Sequence, residues 1–334
     1  MRRLVPLLAA LAVVGLTACG EKKDATRPAS TKRLDLMLDF FPNADHAGIY
    51  QALADGDFRR AGLDVKLRVP SDPSAPLKLV AAGKVDLAIS YEPEVLLARD
   101  QGLRVVSVAA LVQKPLTSII SLGSANIRSV ADLEGKKVGT AGIPYQAAYL
   151  RTILENAGVD PSHVKQVNVG FNLVPAMVSK RVDATLGAFW NYEGVQLALS
   201  HKKPRIIRMD RAGVPTYDEL VVVAKESTLR DQGDRVRAFI QALAQGHDAL
   251  RRDPKNGLDA LLAANHDLDR RLQERSVRET TPAFFPADAH KPFGYQDPKA
   301  WAAYGRWLLD HHLVRHAPQT GLAQTNEFLP GQGV

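Results

Sequence analysis

Cysteine is the scarcest residue of this chain: Cys19 stands alone among 334 residues. A lone thiol near the N-terminus excludes an internal disulfide, a thiolate metal cluster and a Cys-His nucleophilic pair in the body. The signature loops of catalysis are missing as well. No glycine-rich phosphate loop with Lys-Ser/Thr appears, and no dinucleotide fingerprint precedes a helix. Neither His-Glu-x-x-His zinc spacing nor a Gly-x-Ser-x-Gly nucleophile turn occurs. These patterns call for no cofactor and no metal. Basic residues do not cluster either. The formal net charge of +7 is spread in pairs such as Lys202-Lys203, Arg251-Arg252 and Arg270-Arg271, separated by acidic residues. A nucleic-acid surface needs clustered Lys and Arg interleaved with aromatics, so nucleic acid is excluded as a partner.

What is present begins with an address. Met1-Arg2-Arg3 is a basic start, Leu4 to Leu16 an apolar stretch, and Leu16-Thr17-Ala18-Cys19 a small-residue cleavage site. That stretch is too short to span a bilayer comfortably. Residues 1–18 therefore read as a signal segment of bacterial lipoprotein type, with Cys19 as the lipidated first residue of the mature chain. Residues 19–32 are polar and poor in apolar side chains, as a tether between anchor and body should be. The remaining roughly 300 residues are enough for a large core and two lobes.

After the tether, short apolar runs alternate with helical stretches, the pattern of an α/β protein. The expected strands are Leu34 to Leu38, Val65 to Val69, Val85 to Ile89, Val105 to Leu111, Ser118 to Leu122, Lys137 to Thr140, Val182 to Leu186 and Arg205 to Arg208. The expected helices are Ile49 to Ala61, Leu77 to Ala82, Glu94 to Gln101, Tyr145 to Ala157 and Val174 to Ser179. Residues 33–117 form the first part of lobe I and 118–218 form lobe II. Glu219 to Ala224 is the return path, and 219–334 the largely helical remainder of lobe I. One echo supports the division. Pro76 to Ser90 and Asn172 to Phe189 both run helix, basic residue, Val-Asp, apolar strand. Aligning Val85-Asp86 on Val182-Asp183 places Ser90-Tyr91-Glu92-Pro93 and Gly187-Ala188-Phe189-Trp190 in equivalent loops. Ligands of open α/β sheets bind beyond the carboxyl ends of strands, so both loops should face one cleft.

Chemistry concentrates in three loops. Asp39-Phe40-Phe41-Pro42-Asn43-Ala44-Asp45-His46 joins aromatic faces to hydrogen-bonding groups and a helix N-terminus. Phe40 and Phe41 suit a pocket wall and a core equally, and His46 suits a cap or the surface as well as a ligand contact. Tyr91-Glu92 and Phe189-Trp190-Asn191-Tyr192-Glu193 repeat the composition. A helix starting at Phe189 would put Phe189 and Glu193 on one face. Aromatic faces with a few carboxylates suit a flat heteroaromatic ligand carrying exocyclic amines. Two carboxylates could also serve as an acid/base pair, but no nucleophile, metal or cofactor loop stands beside them, which favours binding over turnover.

LDFFPNADHAGIYQA, LRVPSDPSAPLKLVAAGKVDLAISYEPEVLLARDQGLRVVSVAALVQKPL, NVGFNLVPAMVSKRVDATLGAFWNYEG and GVPTYDELVVVAK together resemble the family of thiamine-pyrimidine-precursor binding proteins. The resemblance covers nearly all of the chain after the tether. It implies a type II periplasmic-binding-protein fold, with two α/β lobes, a two-crossing hinge and a ligand cleft between them. It also implies a monomeric solute-binding lipoprotein of an ABC importer, periplasmic or at the cell surface. Such a protein delivers formylaminopyrimidine or hydroxymethylpyrimidine to permease subunits. Carried over, the ligand contacts fall on Asp39, Phe40, Asn43, Tyr91, Phe189 and Glu193, with Tyr217 and Glu219 on the returning segment. His46, Glu92 and Trp190, from the same loops, complete the candidate set. Phe40 departs from the tryptophan frequent in the family, which removes an indole donor. The family also includes a fungal synthase that builds its pyrimidine from its own histidine and pyridoxal phosphate, using iron and a cysteine-rich segment. His46 falls at that histidine's place, but Gly213 to Glu219 contains no cysteine. The alternatives are thus a receptor for another flat nitrogenous solute such as riboflavin, and a pyrimidine precursor synthase.

Overall fold

Two five-stranded mixed sheets organise the chain in the computed structural model, which describes residues 31–331. The expected signal segment, Cys19 and the tether as far as residue 30 lie outside the described residues. The first sheet contains β1 (Lys32–Met37), β2 (Leu63–Arg68), β3 (Leu87–Ser90), β4 (Val105–Val112) and β10 (Leu220–Lys225), in the order β2-β1-β3-β10-β4. Lys32, the last residue assigned to the tether, already pairs with Leu63 in this sheet. The second sheet contains β5 (Thr117–Leu122), β6 (Lys137–Thr140), β7 (Lys165–Asn168), β8 (Ala184–Phe189) and β9 (Pro204–Arg208), in the order β7-β6-β8-β5-β9.

The two sheets share one plan. β1 runs parallel to β2 and β3 while β10 runs antiparallel to β3 and β4. Likewise β6 runs parallel to β7 and β8 while β5 runs antiparallel to β8 and β9. The sequence echo is the visible part of this repeat. Asp86 accepts the backbone N–H of Asp35 at 2.8 Å, and Asp183 accepts that of Lys137 at 2.8 Å, so each Val-Asp pair docks its strand on a parallel neighbour, β3 on β1 and β8 on β6. Strands β3 and β4 are buried along their whole length, which is why they read as unbroken apolar runs rather than alternating ones. Strand β7 is the one the sequence pattern does not signal. It is an edge strand of Lys-Gln-Val-Asn, mostly exposed, with no apolar run to mark it.

Helices cover the sheets: α1 (Ala47–Asp55), α2 (Asp57–Arg60), α3 (Ala75–Ala81), α4 (Glu92–Asp100), α5 (Pro144–Asn156), α6 (Leu173–Val178) and α7 (Glu193–Leu199). The single helix expected over Ile49 to Ala61 is two, because Gly56 adopts φ 77 and caps α1 in the left-handed conformation. The C-terminal part is α8 (Glu226–Arg252), α9 (Pro254–Ala264), α10 (Arg270–Thr280), α11 (Pro298–Asp310) and α12 (Thr320–Ala323). Asp253, Asp269 and Asp297 each cap the helix that follows through a backbone N–H, two of them ahead of proline at the first helical position. Among the described residues no helix is long and apolar enough to cross a membrane.

The chain passes between the sheets twice, through residues 113–116 and residues 209–219. Glu219, fully buried, ties these passages together. It accepts the backbone N–H groups of Leu116 at 2.7 Å and Thr117 at 2.8 Å, and the hydroxyls of Thr117 at 2.8 Å and Tyr217 at 3.1 Å. A hinge braced by one carboxyl group follows from this arrangement.

Candidate functional site

The loops after β1, β3, β6 and β8 meet around a cavity with about 380 Å³ of empty space. The first lobe contributes Asp39, Phe40, Asn43 and Tyr91, and the second contributes Tyr145, Gln146, Phe189, Tyr192 and Glu193. Gly187 also lines it, at φ +112, and a Cβ there would lie 2.4 Å from Gln146 Nε2. Glycine is required at that point of the wall on both counts.

Asp39 is the polar centre of the first lobe's face. Its Oδ2 accepts the Tyr91 hydroxyl at 2.9 Å and its Oδ1 lies 2.9 Å from His46 Nε2. The Asn43 backbone N–H donates to His46 Nδ1 at 3.2 Å, so Nε2 carries the proton and donates to Asp39. Asn43 in turn caps the short turn Ala44–His46 by accepting Asp45 N–H at 2.8 Å. Burial pushes the Tyr91 phenol well above its ordinary range, and the Asp39 charge adds to the effect, so Tyr91 stays a hydroxyl donor.

Glu193 opens α7 and is the carboxyl group of the second lobe's face. Its Oε2 accepts the Phe189 N–H at 2.7 Å. Burial pushes its pKa up to about 7, against the pull of that hydrogen bond, with the charges of Asp45 and Asp39 adding to the rise. Phe189 is the last residue of β8 and not part of α7, so a hydrogen bond unites this pair rather than a shared helix face.

Two further contacts span the lobes. Phe171, after β7, packs its ring against the first lobe, with centroids 4.8 Å from Phe40 and 4.2 Å from Phe41. Asn191, fully buried, donates to Asp45 Oδ1 at 2.7 Å and to Thr280 Oγ1 of α10 at 2.6 Å, while Gln273 of α10 donates to the Tyr192 hydroxyl at 3.0 Å. Burial pushes Asp45 up to about 6. Loop 189–193 thus presents Phe189, Tyr192 and Glu193 to the cavity and Asn191 to the opposite lobe.

Asp39, Phe40, Asn43, Tyr91, Phe189 and Glu193 are brought together as cavity walls. The other candidates lie elsewhere, for reasons of direction. His46 stands behind Asp39 with both ring nitrogens engaged. Glu92 and Trp190 follow residues that face the cavity but their own side chains are held elsewhere. Glu92 turns to the backbone N–H of Asp218, and the Trp190 indole donates to Pro115 O at 3.1 Å under the Arg208 guanidinium. Tyr217 and Glu219 pair with each other in the hinge. Tyr145 and Gln146 are cavity walls, and Phe171 a ring packed on Phe40 and Phe41, that the sequence pattern does not disclose. Tyr145 and Gln146 sit in an amphipathic helix where their residue types equally suit a core, and Phe171 follows the strand that carries no apolar signal.

Residues 43–257 match the NMT1/THI5-like family. The formylaminopyrimidine-binding protein of Halalkalibacterium halodurans is 35% identical over 315 residues, covering 92% of this chain and 93% of that protein. The 4-amino-5-hydroxymethyl-2-methylpyrimidine phosphate synthase of Legionella pneumophila is 25% identical over 301 residues, covering 89% and 92%. Among solved structures, the alkanesulfonate-binding protein SsuA from Xanthomonas axonopodis pv. citri superposes with a TM-score of 0.69 at 18% identity, covering 90% of this chain and 99% of that one. The two-lobed architecture is therefore the periplasmic-binding-protein fold of type II. With the family match spanning well over half its length, the chain belongs to the NMT1/THI5-like family.

Proposed function

We propose that this chain is the extracytoplasmic solute receptor of an ABC importer, capturing a thiamine pyrimidine precursor such as formylaminopyrimidine. The observation that carries the proposal is the interlobe cavity. It is small, walled by aromatic rings from both lobes, and supplied with carboxyl groups at Asp39 and Glu193. Stacking on the rings would hold a flat heterocycle, and a carboxylate would accept its exocyclic amine. Ligand touching both lobes selects the closed state, which permease subunits would recognise. The binding-protein relative at 35% identity supports this ligand class. The state of His46 favours a receptor over a synthase, since its ring is buried outside the cavity lining with both nitrogens engaged. In this proposal Cys19 is the lipid anchor, and the monomeric receptor works at the periplasmic or outer face of a membrane.

Calorimetric titration of the ligand-free protein with formylaminopyrimidine, hydroxymethylpyrimidine, thiamine and riboflavin tests the proposal. Saturable binding of a pyrimidine is the expected result, and binding of riboflavin alone would assign a different nutrient. In the same assay Glu193→Ala is expected to weaken binding by roughly 1–3 kcal/mol, because an amine of the ligand loses its acceptor. Unchanged affinity would remove Glu193 from the site. Asn191→Ala touches no cavity wall yet is expected to weaken binding by about 1–2 kcal/mol, because it removes closed-state hydrogen bonds to Asp45 and Thr280. Equal affinity of this variant and the parent would show that these bonds do not favour closure.

A further inference from the structure

A second cavity, with about 410 Å³ of empty space, lies beside the hinge. Gln113 from the first passage and Thr216, Tyr217 and Asp218 from the second line it together with Glu92. Three carboxyl groups border this space, Glu92, Asp218 and Asp297, and no lysine or arginine lines it. Glu92 is 1% exposed; its Oε2 accepts the Asp218 N–H at 2.7 Å, while its Oε1 is buried with no hydrogen-bond partner. Asp218 Oδ2 accepts the Trp301 indole N–H at 2.9 Å, and Asp297 caps α11 through the Lys299 N–H at 2.8 Å. Burial and mutual repulsion push Glu92 well above the usual carboxylate range, and burial pushes Asp218 up to about 7.

An unpartnered buried acceptor is costly, and a carboxyl group this deeply buried ionises readily only when a cation stands beside it. A cationic donor would meet both needs. The rings of Tyr217, Tyr295 and Trp301 also line the cavity, and aromatic faces with carboxylates are the usual setting for an organic ammonium group. Among the described residues no group of three or more His, Cys, Asp or Glu is placed to hold a metal ion, which favours an ammonium over a metal. We propose that the hinge cavity binds a small protonated primary amine, whose ammonium group donates to Glu92 and Asp218 and rests against the aromatic rings. Both hinge passages line the cavity, so an amine held there couples to lobe closure, and the coupling is reciprocal with the ligand of the main cleft.

Calorimetry and thermal denaturation of the full chain with methylammonium chloride, against potassium chloride at equal ionic strength, test the assignment. Saturable one-site binding of methylammonium alone is expected, weakened about tenfold or more by Glu92→Gln and by Asp218→Asn. Glu92→Gln keeps an oxygen to accept the Asp218 N–H, and either variant suffices should the other fail to fold. A response equal to that of potassium, or variants that bind as tightly as the parent, would overturn the proposal. The pyrimidine titration reads the other cavity, so failure of one assignment leaves the other standing.

Discussion

Glu219→Ala is expected to cost roughly 3–5 kcal/mol of stability, the largest loss from any single change in the hinge. Four donors converge on this one fully buried carboxyl, two of them backbone N–H groups of the opposite passage. Alanine leaves those N–H groups buried without acceptors and opens a cavity between the passages. Glu219→Gln is expected to lose less but not to be neutral, since its amide turns a donor toward other donors. Urea denaturation of the ligand-free proteins gives the comparison. A loss below about 1 kcal/mol for alanine would mean that water replaces the carboxylate and that the brace is dispensable.

The ligand-free protein is expected to be most stable on the acid side of neutrality and to lose at least ~3 kcal/mol between about pH 5 and pH 8. Burial pushes Glu94, Glu193, Glu219 and Asp218 each up to about 7, and Asp45 up to about 6. A carboxyl group that holds its proton more tightly in the folded than in the unfolded chain takes up a proton on folding. Its contribution is complete below its ordinary value, 4.5 for Glu and 3.8 for Asp, and disappears as pH rises through 6 to 7. At the other end, Asp35, Asp72 and Asp100 are held below their ordinary value of 3.8, and their contribution is lost as the pH falls below it. The two trends leave a maximum near pH 5. Denaturation midpoints from pH 3 to pH 9 trace the curve. A midpoint that stays level or rises from pH 5 to pH 8 would show that the buried carboxyls are ionised in the fold and fully satisfied by their donors.

The order of elements is largely written in the sequence because burial on both faces turns whole strands apolar, as in β3 and β4. The repeat is legible for a related reason, since Asp86 and Asp183 make the same backbone contact and so share the same local sequence. Strand β7 and the break at Gly56 are not legible. The first is held by its pairing with β6 rather than by its own side chains, and the second is a one-residue choice of backbone conformation.

Within the candidate site, the sequence marks three loops rich in aromatic and carboxylate residues, and six of the eleven candidate positions line the cavity. Composition is a local property, and strand ends beyond an α/β sheet are where it counts. Which neighbour faces the cavity is a matter of direction, and only the tertiary structure decides it. Tyr91 turns inward and Glu92 toward the hinge, Phe189 inward and Trp190 toward Pro115, and Asn191 across to Asp45. The same holds for Tyr217 and Glu219, whose chemistry suits a ligand equally well. The partners that claim them, Leu116 and Thr117, are about a hundred residues away in the chain and meet them only when the two passages lie side by side.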